Sequence, residues 1–205
     1  ATLLKYKKDN FMLDVALAFN QDYSHPTGFV SAGTGYNTKG FFSYKTMQML
    51  YMKKSWDKFS SSLLLMNNGF QEFDADNNAD GVSNLQTLGT HLNYKNGSFG
   101  FAANAYLQTG QRQGAVDVKG AYLLGLDFSY KATPKVNLGA GLEIISGNDG
   151  DAGETGAFFP LYGTNHKFNG FMDYFYVGNH ANSIGLVDFH VSANFTLNKS
   201  SSLMV

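Results

Sequence analysis

The chain has 205 residues, a net charge of −1 and no cysteine, which excludes disulfides, thiolate metal sites and a basic footprint for nucleic acid. Charged residues make up only 15%, aromatics 15%, and glycine occupies 23 positions. Yet mean hydropathy is −0.22, and no apolar run is long enough for a membrane helix. Few charges, many aromatics and glycines, and neutral hydropathy suit a β-barrel whose residues alternate between lipid and water.

Period-2 alternation carries the assignment. A partial strand at 2–7 is followed by 11–21, where Phe11, Leu13, Val15, Leu17 and Phe19 oppose Asp14, Ala16 and Ala18. Runs 43–54 and 58–68 alternate partly, and 85–94 sets Leu88, Leu92 and Tyr94 against Gly89, His91 and Asn93. In 98–109, Phe99, Phe101 and Leu107 oppose Asn104 and Tyr106; in 120–130, Leu124, Leu126 and Phe128 oppose Gly125, Asp127 and Ser129. In 135–146, Leu138, Leu142 and Ile144 oppose Gly139, Gly141 and Glu143; in 186–197, Val187, Phe189 and Val191 oppose Asp188, His190 and Ser192. A partial strand closes the chain at 202–205. Many of these runs match the roughly 9–11 residues needed to cross a bilayer at a tilt.

Connections alternate as well. Tight polar turns at 7–10, 55–58, 94–98, 131–135 and 198–202 are expected on one rim, with Asn96-Gly97 a strong hairpin signal. Longer segments at 21–41, 69–84, 109–119 and 147–185 are expected on the other. That asymmetry is the pattern of outer-membrane barrels, whose short turns are periplasmic. The expected fold is therefore all-β: a transmembrane antiparallel up-and-down β-barrel forming a single domain over 1–205. Residues 147–185 form a long extracellular loop, because an even number of crossings must separate its flanking strands and no pair of clean runs lies within it. The stretch 157–178 holds eight aromatic side chains, too many for a solvated loop. It is expected to fold over the barrel mouth as a constriction through Phe159, Tyr162, His166, Lys167, Phe171 and Tyr174.

On this alternation the pore lining is Asp14, Asn104, Asp127, Glu143, Asp188 and His190, a cation-favouring set. Asp76, Asn78 and Asp80 resemble the front of a calcium loop, but Thr87 stands where the twelfth-position glutamate belongs. A plain acidic turn is the stronger reading, so neither a metal nor a cofactor is expected. The five histidines lack paired ligand spacing, and no nucleophile–base motif is present, so an enzyme is not expected.

The run PLYGTNHKFNGFMDYFYVGN (160–179), the strand start GLVDF (185–189) and KTMQMLYMKKSWDKFS (45–60) resemble the alginate-export type of outer-membrane barrels found in Bacteroidota. The resemblance implies a porin-like barrel in a Gram-negative outer membrane that exports an acidic polysaccharide; the expected partners are outer-membrane lipid, a polar solute or polysaccharide, and other envelope proteins. It also implies a barrel larger than these 205 residues, which would form its C-terminal portion. Ten strands leave a narrow interior, so a wall within a larger barrel of about 14–18 strands is expected. The carboxylate lining argues against an acidic polymer and for a channel passing small polar solutes. The alternative is a structural or docking barrel within a larger outer-membrane complex.

Overall fold

The computed structural model describes residues 1–20, 44–76, 78–150, 153–162 and 183–205. Ten strands follow one another in a single antiparallel, up-and-down sheet: β1 (Thr2–Lys8), β2 (Phe11–Phe19), β3 (Thr46–Ser55), β4 (Phe59–Phe73), β5 (Ala79–Asn96), β6 (Phe99–Arg112), β7 (Val116–Thr133), β8 (Val136–Ile145), β10 (Leu186–Asn198) and β11 (Ser201–Met204). A two-residue strand, β9 (Glu154–Thr155), pairs parallel with β7. The described residues contain no helix. Within them β1 pairs only with β2, and β11 only with β10.

Register turns the alternation into faces, because directly paired residues share a side of the sheet. Val15, Leu50, Leu65, Leu88, Leu107 and Tyr122 form one cross-strand row. The next row runs Leu13, Met52, Leu63, Thr90, Ala105, Leu124, Ile144 and Val187. One face is thus apolar from β2 through β10. It is also exposed: Val187, Phe189 and Val191 retain 72%, 71% and 67% of their accessible surface. Toward the end away from the tight turns, the apolar face stops at an amide ladder. Asn67 Nδ2 donates to Gln48 Oε1 at 2.7 Å, and Gln86 Nε2 donates to Asn67 Oδ1 at 2.8 Å. Toward the tight turns, ring pairs Trp56–Phe59 and Phe99–Tyr130 lie with centroids 5.4 and 4.8 Å apart.

Four strands run further than their sequence pattern predicts. Residues 69–84 and 109–119 are not long loops; β4–β5 and β6–β7 continue into them as hairpin extensions with turns at 74–78 and 113–115. The physical reason is burial from a distant segment. Phe70, Leu85, Val118, Ala121 and Ile145 form the core together with Phe158 and Phe159. Local alternation cannot reveal that partner. The segment 21–41 expected as a loop lies outside the described residues.

Candidate functional site

The face opposite the apolar one is stratified. Asp14, Asn104, Asp127, Glu143, Asp188 and His190 all lie on it, and the register groups them. Ser62, His91, Asn104, Gly125, Glu143 and Asp188 share one row. Asp127, Gly141 and His190 share the neighbouring row, nearer the tight turns. His91 Nδ1 meets Asn104 Oδ1 at 2.7 Å. His190 lies 3.5 Å from Asp127 and 3.3 Å from Asp188, so one imidazole bridges two carboxylates. Asp14 stands apart beside Lys5, with its Oδ2 3.6 Å from the ammonium and its Oδ1 buried without a hydrogen bond.

Glycines let these side chains lie flat. A methyl group on Gly141 would collide with the His190 ring, so the bare backbone there is what lets the imidazole reach across to Asp127. Gly89 plays the same part for Tyr106, whose ring covers it. Tyr106 is held from above by Phe158, centroids 6.4 Å apart, and has little room to swing away. Gly89→Ala is therefore expected to cost about 1–3 kcal/mol through overpacking. At Gly125 an added methyl meets Asn104 only at ordinary contact distances of 3.4 Å and beyond, and Gly125→Ala should cost less than about 1 kcal/mol, relieved in part by lower chain entropy. Chemical unfolding of the two variants side by side checks this; equal losses would contradict the close packing at Gly89.

Beyond the glutamate row the face becomes apolar and is covered. Residues 156–162 cross it. Ser146 Oγ donates to the Gly156 carbonyl at 2.7 Å. Gln108 grips Phe159 at two points: its Nε2 donates to the Phe159 carbonyl at 2.8 Å, and the Phe159 N–H donates to its Oε1 at 2.7 Å. Asn68 Nδ2 donates to the Tyr162 hydroxyl, and burial pushes the Tyr162 phenol above its ordinary range. The Phe159 ring packs on Phe70, with the Arg112 guanidinium 5.1 Å from its centroid. Phe158 and Phe159 are 5% and 4% exposed, which stabilises the cover by about 1.5–3 kcal/mol each.

Of the residues expected in a constriction, Phe159 and Tyr162 belong to this cover. His166, Lys167, Phe171 and Tyr174 lie outside the described residues. Phe158 is one of the eight aromatics of 157–178, but Gln108 and Asn68, which hold the cover from the sheet, have no distinguishing sequence signal; Gln108 reads as one more polar position on an alternating strand. At the weak calcium candidate, the turn is organised by Asp74 rather than by Asp76, Asn78 and Asp80. Asp74 Oδ1 accepts from the N–H groups of Asp76 and Asn78 at 3.0 and 2.7 Å. The Asn78 hydrogen bonds hold the Asp74 carboxyl below its ordinary range. Among the described residues, no three His, Asp or Glu side chains converge as metal ligands.

Comparison with known proteins finds no matching family model, curated protein or solved structure.

Proposed function

We propose that the chain forms the wall of a transmembrane β-barrel in a Gram-negative outer membrane, a channel through which small polar solutes diffuse. The observation that carries this reading is the exposed apolar face running unbroken from β2 to β10 and backed by a polar one. Such a face is far larger than water tolerates on a soluble protein and suits hydrocarbon.

The register supplies independent support. Phe11, just after the first tight turn, shares a row with Lys54, Ser61, Leu92, Ala103, Leu126, Leu142 and Phe189. The last tight turn, however, begins only at Asn198, about nine residues beyond Phe189. If the tight turns share one level, this stagger spans seven strand steps. At about 3.3 Å per residue and 4.8 Å per strand, the strands tilt by about 40°, within the range of roughly 35–45° for membrane barrels. At that tilt the apolar side of β7 from Tyr122 to Tyr130 spans about 20 Å along the normal, close to the roughly 25 Å band of such barrels.

In this frame the carboxylate face lines the lumen and residues 156–162 narrow its outer mouth. Reconstitution into planar bilayers tests the reading. Steady conductance with a modest cation preference is expected, and Asp127→Asn combined with Glu143→Gln should reduce that preference. The buried cover favours a second reading, a plugged barrel that docks other envelope proteins, and absent conductance would select it. An anion preference would instead favour export of an acidic polysaccharide, as the alginate-export resemblance implies.

A further inference from the structure

We propose that the lumen holds a binding site for small organic cations that have an apolar body, in the cavity beneath the 156–162 cover. The inference rests on the channel reading in taking this face as the solute's path, and it names the class of solute. The cavity measures about 290 Å³ and lies where the two strata of the face meet. Leu64, Leu123 and Tyr106 form its wall, and Phe158 and Leu161 of the cover form its roof. Its polar edge is Glu143 with Asn104. Glu143 is paired in register with Asp188, and His190 bridges Asp188 to Asp127 one row away.

This arrangement sorts ligands by two criteria. A fully hydrated inorganic ion gains nothing from the leucines and the aromatic rings. A neutral apolar molecule gains nothing from the carboxylate. An anion is repelled by Glu143, Asp188 and Asp127 together. A primary amine on a compact hydrocarbon body uses both halves: the body displaces water from the apolar wall, the Tyr106 and Phe158 faces attract the cation, and the ammonium donates to the Glu143 carboxylate in a charge-assisted hydrogen bond. The volume sits at the lower end of small-molecule sites, so the ligand is one ring or a short chain.

Calorimetric titration of the full chain in detergent, using phenethylamine, 2-phenylethanol and 3-phenylpropionate, tests the site without reference to transport. Phenethylamine should bind about tenfold or more tightly than the alcohol, as a charge-assisted hydrogen bond implies, and the carboxylate weakest. Glu143→Gln should bring amine and alcohol to the same affinity, and Tyr106→Leu should weaken both. Equal affinities of the three probes for the unmodified chain would overturn the proposal, as would an amine preference that survives Glu143→Gln. The three-probe comparison needs no variant, so it stands if a substitution impairs folding. Selective amine binding by a protein that shows no conductance would retain the site and reject the channel; conductance without selective binding would do the reverse.

Discussion

Gln108→Leu will release residues 156–162 from the sheet. The side chain is 3% exposed, and it satisfies both the N–H and the carbonyl of Phe159. Leucine keeps most of its volume but leaves both backbone groups buried and unpaired. Each such group costs about 1–3 kcal/mol, so the closed arrangement loses about 2–6 kcal/mol. Local opening then becomes frequent. Exchange of the Phe159 amide should accelerate roughly thirtyfold or more, since 2 kcal/mol is about that factor at room temperature. The amides of β8 should be much less affected. If the Phe159 amide stays as protected as in the parent, the two-point grip is not what holds the cover. For the proposed channel, the same variant in bilayers should show larger or longer openings, because the cover over its outer mouth would be loosened.

Leu126→Arg and Asp127→Arg will part company although they are neighbours in sequence. Leu126 sits on the apolar face between Ala103 and Leu142, and Asp127 on the opposite face beside Gly141 and near His190. In hydrocarbon near the midplane, an arginine costs about 2–4 kcal/mol. On the lumen side of the proposed barrel it would meet water, and its charge could pair with Glu143 or Asp188. Folding into lipid vesicles, followed by the shift in electrophoretic mobility between folded and unfolded forms, should show strongly reduced assembly for the first variant and near-normal assembly for the second. Equal impairment would mean that the apolar face does not meet lipid.

The strands with clean alternation were legible in the sequence because period 2 depends only on local chain geometry. β2, β6, β7, β8 and β10 begin or end within a few residues of their expected bounds, and all six polar residues assigned to one face by parity do share it in register. The hairpin extensions were not legible. Phe70 and Leu85 turn their side chains to a face that is polar nearer the tight turns, and what justifies them is Phe158 and Phe159, brought in from a remote part of the chain. A pattern with period 2 carries no information about a segment that packs across strands. The glycines had the same ambiguity: Gly89 and Gly141 look like small residues in an alternation, and only the structure shows that each is the place where Tyr106 or His190 lies down. The cover itself was half legible. Aromatic density singled out Phe159 and Tyr162, but nothing marked Gln108 as the side chain that would imitate a neighbouring strand.

The stagger of the strands has a consequence for the acidic residues. Counted from the tight-turn end of its own strand, Asp14 is about three residues up, Asp127 about six, Glu143 about seven and Asp188 about ten. In the proposed barrel, with the turns level and a tilt of about 40°, the climb from Asp14 to Asp188 is about 18 Å along the axis at roughly 3.3 Å per residue. In that barrel the negative charges would stand at successive depths instead of closing into a ring. A ring concentrates the potential at one depth and makes a single deep trap; charges at several depths spread shallower resting places along the passage. In the proposed channel, a cation ascending this wall would meet Asp14 alone on β2, and across the sheet the group of Asp127, Glu143 and Asp188, whose Glu143 borders the space under the cover.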